Sequence, residues 1–260
     1  MGLKLAVGGK GGVGKTTVSA LLARTFAAQG KRVYAVDADP VANLAAALGV
    51  ADAENITPIA ALHDLIHERT GTRPGSFGGI FKMNPKVEDL PERFSRERDG
   101  VRLLVMGTVK GAGSGCVCPE SVMLKSLVQH LVLERDEIVI MDMEAGVEHL
   151  GRATAQGVDL LLIVVDPGSR SLTAAVKIRG LGEELKIKHI AVVANRVRNP
   201  EDLEAVRRAQ PGMEIIGTLP LDEEIARADR AGVRPFEDGL QPAPDGLRIL
   251  ADKLLALAER

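Results

Sequence analysis

Apolar runs of strand length alternate with amphipathic runs of helix length along most of the chain. The apolar runs are nearly continuous in hydrophobicity and rich in β-branched residues, which is typical of parallel strands covered on both faces. Strands are predicted at residues 3–7, 32–36, 101–106, 137–141, 160–165, 189–194 and 214–218. Between and after them, helical periodicity predicts helices near residues 15–28, 119–133, 171–184, 202–209, 222–229 and 245–258.

This order of elements predicts the fold class. Strand, helix and strand in repetition imply right-handed crossovers and a doubly wound α/β domain, with a mostly parallel sheet of about seven to eight strands and helices on both faces. The segment 49–100 breaks the rhythm, because it holds four prolines, a glycine-rich run and a charged stretch. We predict one domain over residues 1–260, in which segment 49–100 is an irregular insertion beside the sheet.

The composition of the chain argues against several classes of function. The chain of 260 residues has 33 basic and 35 acidic side chains, so its net charge of -2 gives no global positive field for nucleic acid or anionic lipid. Aromatic residues make up 2%, too few for stacking platforms that bind single strands, and the core must be aliphatic. No apolar run approaches the ~20 residues of a membrane span, and no apolar signal region is visible. We expect a soluble, cytoplasmic protein.

The last predicted helix carries apolar side chains at helical spacing, a pattern that also occurs in helices bound to a membrane surface. Its few basic residues are balanced by acidic ones, which favours an ordinary packing helix. The apolar positions are Leu247, Leu250, Leu254 and Leu257.

The strongest motif follows the first predicted strand and opens the first predicted helix. It reads GGKGGVGKTT from residue 8 to residue 17, and it contains the phosphate-binding pattern G-x-x-x-x-G-K-[ST] in the required context. Glycines let backbone N–H groups converge on phosphate oxygens, and the helix N-terminus adds a positive dipole. Lys15 is expected to bridge the β and γ oxygens, and the Thr16 hydroxyl to ligate Mg²⁺. The predicted nucleotide-binding residues are Gly9, Gly11, Gly12, Val13, Gly14, Lys15, Thr16 and Thr17.

Carboxylates stand at the ends of two other predicted strands. Asp37 and Asp39 follow the second strand, where it ends beside the phosphate loop. Asp142 follows an apolar strand, as a Walker B acid must to support Mg²⁺. An acid at a strand end can merely cap a turn, but three segments in this order favour a magnesium site. We predict that Asp37 and Asp142 belong to it.

The phosphate loop, with its additional lysine, resembles the deviant Walker A motif of the MinD/ParA/nitrogenase-iron-protein class of P-loop ATPases. The resemblance implies that Lys10 reaches the partner's nucleotide across a two-fold dimer and that Asp39 positions the attacking water. It also implies that Asn195 and Arg196 contact the base and that Pro220 lies in a base-lining loop; turn formation without a role in binding is the alternative explanation of these residues. We favour ATP over GTP.

The cysteines of the chain, Cys116 and Cys118, lie in a glycine-rich loop between a strand and a helix. Their spacing would strain a disulfide between them, so reduced thiols are expected. Two thiols this close fill half of a tetrahedral shell for a metal ion, and a two-fold dimer would supply the rest. The start of a helix is expected to lower the thiol pKa. A chance pair or a redox pair explains the same spacing.

These motifs together resemble the CooC-type nickel-insertion ATPases, which help to mature carbon monoxide dehydrogenase. The resemblance covers nearly the whole chain, including the Cys-x-Cys loop and residues 37–40, 142–150 and 195–199. It implies a homodimer closed by ATP and Mg²⁺, a four-thiolate site for Ni²⁺ or Zn²⁺, and release of metal to carbon monoxide dehydrogenase as ATP is hydrolysed. Glu144 departs from the small residue or proline common at its position in the class.

Two other functions share the predicted ATPase. In the first, the cysteines hold a bridging [4Fe–4S] cluster in an ATP-dependent reductase, but such proteins take their cysteines from separate loops. In the second, a positioning ATPase of the MinD or ParA kind binds membrane or DNA, which the near-neutral charge disfavours. His63 and His67 have the spacing of a helical chelating pair, yet an exposed helix face is the better interpretation.

Overall fold

The computed structural model describes residues 2–39, 42–73, 81–107, 118–133, 137–146, 155, 157–210, 212–236 and 244–259. The strands are β1 (Lys4–Gly8), β2 (Val33–Asp37), β3 (Arg96–Arg98), β4 (Val101–Val105), β5 (Ile138–Asp142), β6 (Leu160–Val165), β7 (His189–Val197) and β8 (Glu214–Pro220). The helices are α1 (Lys15–Ala28), α2 (Leu44–Leu48), α3 (His63–Thr70), α4 (Leu90–Phe94), α5 (Pro119–Leu133), α6 (Ser169–Glu184), α7 (Pro200–Ala209), α8 (Glu223–Ala231) and α9 (Asp245–Ala258).

The strands form one sheet of eight, in the order β3-β4-β2-β5-β1-β6-β7-β8. All neighbours are parallel except β3 and β4, which are antiparallel. The predicted doubly wound, mostly parallel sheet in a single domain is confirmed. β3 was not predicted, because its residues Arg96, Glu97 and Arg98 are all exposed and supply no apolar signal.

Alternation along each strand divides the core between the two faces of the sheet. In β2, Val33 and Ala35 join one apolar cluster, whereas Tyr34 and Val36 join the other. The first cluster packs against α1, α2 and α9, and the second against α3, α5 and α6. Both faces are therefore covered, as continuous apolar strands require.

Helix α9 packs against the sheet as predicted. Its four apolar positions, Leu247, Leu250, Leu254 and Leu257, are all buried in the first cluster. Within the described ranges, no helix is both long enough and apolar enough to cross a membrane.

The described residues of segment 49–100 contain more regular secondary structure than we expected of an irregular insertion. It contains α3, α4, β3 and two short 3-10 turns at Ala53–Asn55 and Ile59–Ala61. Leu65, Ile66 and Leu90 of this segment are buried in the second cluster, on the α5 face of the sheet. The segment is thus packed onto the core that it flanks.

The topology places a crevice at the carboxyl end of β1. The helix α1 leads from β1 to β2 on one side, across the intervening β5, while β6 lies on the other side of β1. In open α/β sheets, the crevice at such a change of direction is where ligands bind. Residues at or just beyond the carboxyl ends of β1, β2, β5 and β7 lie at this edge.

Candidate functional site

The loop after β1 has the backbone that its glycines permit. Gly9, Gly12 and Gly14 have φ values of 152°, 84° and 95°, in the region that favours glycine. A Cβ at Gly9 would lie 2.4 Å from the Val164 carbonyl oxygen, and one at Gly14 would lie 2.6 Å from Asn195 Nδ2. Side chains at these two positions would therefore displace the loop from the sheet edge.

Main-chain and side-chain contacts fix this loop against its neighbours. The Gly9 N–H donates to the Ala145 carbonyl at 2.6 Å, so the residues after β5 support the loop directly. The Val13 side chain is buried in the core. A Cβ at Gly11 would meet nothing within 4 Å, so the loop is open on that side. Such a loop can direct several N–H groups at an anion.

The two lysines of the motif occupy different environments. Lys15 begins α1 and is only 7% exposed, and burial lowers the pKa of its ammonium group. The carboxylates of Asp142, Asp39 and Glu144 act in the opposite direction and favour the charged form. Lys10, by contrast, is exposed. The structure therefore places Lys15 inside the crevice and Lys10 on its outer side.

Asp142 ends β5 as a buried carboxylate facing α1. Burial raises its pKa to about 7, while a hydrogen bond from the Thr16 hydroxyl and the charge of Lys15 lower it. Its Oδ1 also accepts a hydrogen bond from the Ser19 hydroxyl at 3.2 Å. Sequence reasoning missed Ser19. The signal that could have found it is its position one helical turn after Thr16, on the same side of α1.

Asp37 lies beside Asp142, because β2 and β5 pair in parallel with these two residues in register. Its pKa is raised to about 6, chiefly by burial. Its carboxylate accepts main-chain N–H groups from Asp39 at 3.1 Å and from Leu44 at 2.9 Å, and another from Asn43. Asp37 therefore orders the loop that carries Asp39.

This donor set suits a magnesium ion. Mg²⁺ prefers oxygen ligands, and Thr16, Asp142 and Asp37 bring a hydroxyl and two carboxylates to one place. Burial raises the pKa of both carboxyl groups, and the charge of Asp37 raises that of Asp142 further. A nearby divalent cation would favour the ionised forms of both. The residues present thus fit the ion that the motif predicts.

The residues predicted to contact the base hold the phosphate loop in this structure. Asn195 Nδ2 donates to the Val13 carbonyl at 2.8 Å, and Arg196 Nη1 donates to the Gly12 carbonyl at 2.7 Å. Arg196 adopts a left-handed φ of 58°, which is uncommon for a residue with a side chain. A contact between either residue and the base stays a prediction.

Two adjoining cavities lie next to the loop. The first has a volume of about 230 Å³ and is bounded by Gly14, Asn195, Arg196, Pro220 and the start of α9. The second, of about 330 Å³, runs past Lys15, Thr16 and Thr17 to α2 and α8. Thr17, Arg196, Ile225 and Asp229 border both cavities. Together they form a groove that leads from the phosphate loop to the predicted base-lining residue Pro220.

Cys118 immediately precedes α5, at the carboxyl edge of the sheet. Burial raises the pKa of its thiol, which is opposite to the lowering expected from a helix start, and bonds from Ser121 only partly oppose this. The Ser121 hydroxyl accepts from the Cys118 N–H at 3.3 Å. Cys116 and residues 147–150 of the CooC-like motif lie outside the described residues. In the remainder, no group of three or more His, Cys, Asp or Glu side chains is placed to hold a metal ion.

Comparison with known proteins decides the family. The CobQ/CobB/MinD/ParA nucleotide binding domain matches residues 4–236. The chain belongs to this family. The prediction of a P-loop ATPase in the MinD/ParA class is confirmed by that membership and by the fold.

Two relatives are similar over most of their length. An ATP-binding protein of Methanocaldococcus jannaschii is 47% identical over 233 residues, covering 88% of this chain and 90% of the relative. The carbon monoxide dehydrogenase accessory protein CooC of Rhodospirillum rubrum is 46% identical over 238 residues, covering 90% of each. The resemblance to CooC-type ATPases drawn from the motifs is thereby confirmed.

Solved structures agree on the fold. MinD of Aquifex aeolicus, in a complex with MinC, superposes with a TM-score of 0.67 over 98% of this chain and 96% of that chain, at 21% identity. A ParA family ATPase of Chlorobium tepidum gives a TM-score of 0.67 over 100% and 98%, at 18% identity. These likenesses concern the arrangement of the chain alone.

Proposed function

We propose that this protein is an ATP-dependent metallochaperone that matures carbon monoxide dehydrogenase. The observation that carries the proposal is the 46% identity to the R. rubrum accessory protein over 90% of both chains. The position of Cys118 supports it, because α5 starts at the same sheet edge as the phosphate loop. A change at the nucleotide could therefore reach the thiols through adjacent loops.

The phosphoryl-transfer part of the proposal assigns roles to residues of the crevice. ATP would lie along the groove, with its phosphates on the loop N–H groups and on the ammonium of Lys15. Thr16 and Asp142 would hold Mg²⁺, and Asp37 would support them. When bound, the ion would neutralise negative charge on the β and γ oxygens. Asp39, on the loop ordered by Asp37, would orient the attacking water.

The dimeric part of the proposal concerns Lys10 and the cysteines. Lys10 is exposed beside the open side of the loop, as a residue that reaches a second protomer's nucleotide must be. Cys116 and Cys118 of each protomer would together give four thiolates, a number that completes a tetrahedral site for Ni²⁺ or Zn²⁺. ATP would close the dimer around this cargo, and hydrolysis would release it to the client enzyme.

The test measures bound metals and oligomeric state together, on a sizing column coupled to mass detection, with and without ATP and Mg²⁺. The proteins are the wild type, the double variant Cys116→Ser/Cys118→Ser and the Asp39→Ala variant. We expect about one Ni²⁺ or Zn²⁺ per wild-type dimer. The cysteine variant should lose the metal, and Asp39→Ala should stay dimeric with ATP because it cannot hydrolyse it.

Each alternative predicts a different result. Iron together with sulfide would indicate a reductase with a bridging cluster. A dimer that forms with ATP but binds no metal, and that sediments with liposomes or DNA, would indicate a positioning ATPase. Either result contradicts the metallochaperone proposal while leaving the ATPase assignment intact.

A further inference from the structure

Arg24 is a buried cation that the proposed reaction does not use. It lies on α1, further along the helix from Lys15, and it is 4% exposed. Its Nη1 donates to the Pro235 carbonyl at 2.6 Å, and its Nη2 donates to the Phe236 carbonyl at 2.9 Å. A planar guanidinium can satisfy two successive carbonyls at once, which an ammonium cannot do with the same geometry. Arg24 thus ties the phosphate-loop helix to a segment more than 200 positions away in the chain.

The segment it holds follows α8 and forms a wall of the nucleotide groove. We call residues 232–236 the α8 tail. Gly232, Val233 and Pro235 of this tail border the 330 Å³ cavity, which Lys15 and Thr16 also border. The bonds from Arg24 therefore fix the distance between the two sides of that cavity.

Two further contacts hold the α8 tail in one position. The Phe236 N–H donates to Glu224 Oε1 at 3.2 Å, and Arg234 Nη1 pairs with Asp99 Oδ2 at 2.5 Å. Phe236 also has a left-handed φ of 58°, which is unfavourable for a bulky residue. Such a conformation persists only where the surroundings hold it, so the tail depends on these contacts.

We propose that Arg24 is a positioning residue that sets the width of the nucleotide groove by holding the α8 tail against α1. The inference rests on the proposed placement of ATP along the groove. Loss of the two carbonyl contacts would let the tail move, together with α8, whose Ile225 and Asp229 border both cavities. Lys15 and Asp142 would keep their places, because neither contacts the tail through the bonds described. The effect should therefore fall on nucleotide affinity and not on the chemical step.

The first test compares Arg24→Lys with the wild type, using fluorescent N-methylanthraniloyl-ATP for equilibrium binding and steady-state hydrolysis for KM and kcat. The variant keeps the positive charge but lacks the planar guanidinium, whose two nitrogens donate to the Pro235 and Phe236 carbonyls. We expect the Kd and the KM to rise about tenfold while kcat changes less than about twofold.

Arg69→Lys is the matched control. Arg69 is also a largely buried arginine with a two-pronged contact, to Asp89 at 2.9 and 2.7 Å, but it lies on α3 and borders neither cavity. Its variant should lose thermal stability without a change in the Kd for the fluorescent nucleotide. An equal rise in Kd for both variants would mean that general loosening of the fold explains the effect, and would overturn the proposal.

Asp99→Asn keeps the proposal testable if Arg24→Lys fails to fold. Asparagine tolerates the left-handed φ of 50° at this position, yet it cannot pair with Arg234 as an ion. We expect a smaller rise in Kd, about two- to fivefold, with kcat retained. An unchanged Kd in whichever of Arg24→Lys and Asp99→Asn folds would refute the inference, as would a loss confined to kcat. A wild type that does not bind the fluorescent nucleotide would instead contradict the proposed function.

Discussion

The nucleotide region and the thiol region lie at the same edge of one sheet, yet they are built differently. The nucleotide region comprises residues 8–17 with Asp37, Asp142 and Asn195, and its groups are fixed by strand register, by glycine geometry and by hydrogen bonds within this chain. The thiol region comprises residues 118–121, and the group proposed to bind there is the sulfur of Cys118, which is half-buried. One chain can thus complete a phosphate site, whereas a four-thiolate metal site requires two.

The largest effect is expected from a substitution that disables the nucleotide region and leaves the thiol region unchanged. Lys15→Ala removes the ammonium group that the proposed mechanism places on the transferring phosphoryl group, and we expect hydrolysis to fall by about 10²- to 10³-fold. The check is phosphate release with Mg²⁺ and ATP. Lys4→Met is the matched control, because Lys4 is also buried, at 5% exposed, but bonds the Glu137 carbonyl at the other edge of the sheet. Comparable losses of activity in the two variants would contradict the assigned role of Lys15.

The second prediction separates the two regions by pH. Burial raises the pKa of the Cys118 thiol, so near neutral pH a proton competes with the metal for the sulfur. We expect the affinity for Zn²⁺ to rise with pH, by about tenfold per pH unit for each thiol that must lose its proton. Titration with a chromophoric zinc chelator between pH 6 and pH 8 measures this. A pH-independent affinity would show that the thiols are already ionised and would contradict the effect of burial.

A third prediction concerns the cost of the buried acids in the nucleotide region. The folded pKa of Asp142 is about 7 against an ordinary 3.8, so the native state binds more protons than the unfolded state between these values. Without Mg²⁺, the free energy of unfolding should therefore fall as pH rises from about 4 to about 7. Asp142→Asn should be more stable than the wild type at pH 8, by on the order of 2 kcal/mol, and inactive in hydrolysis.

Urea unfolding of both proteins at pH 5 and pH 8, in the presence of a chelator, checks this prediction. The difference between variant and wild type should be larger at pH 8 than at pH 5, because the carboxyl group of Asp142 is still protonated in the folded wild type at pH 5. If the variant and the wild type were equally stable at both pH values, burial would not destabilise the ionised carboxyl group of Asp142.

The smallest effect is expected from a substitution that tests whether Ser19 belongs to the nucleotide region. Ser19→Ala removes the hydroxyl that donates to Asp142 at 3.2 Å, which should cost about 1 kcal/mol of stability and raise the Mg²⁺ concentration needed for half-maximal hydrolysis. Thr25→Val is the control on the same helix, because its hydroxyl donates to the Leu21 carbonyl at 2.8 Å and faces no acid. It should lose similar stability with no change in the Mg²⁺ requirement. Identical Mg²⁺ dependence in all three proteins would exclude a positioning role for Ser19.

The order of strands and helices followed from local patterns, since each predicted strand carries its own continuous apolar run. β3 escaped prediction because a short, exposed edge strand needs no apolar residue. The phosphate loop was predictable for a different reason: its function requires glycines and a lysine at fixed spacing within one turn of chain. The helices of segment 49–100 were less visible, because four prolines, a glycine-rich run and a charged stretch interrupt its periodicity.

The sequence by itself determined the fold class, the phosphate loop and the acids at the strand ends, because these depend on residues close together in the chain. The tertiary structure alone decided which distant groups meet: Ser19 with Asp142, Asn195 with the phosphate loop, and Arg24 with the α8 tail. It also reversed the expected pKa shift of Cys118, because burial and the neighbouring Glu120 carboxylate raise the pKa of its thiol. Hydrogen bonds and desolvation depend on what lies nearby in space, and only the packed sheet and its helices define that.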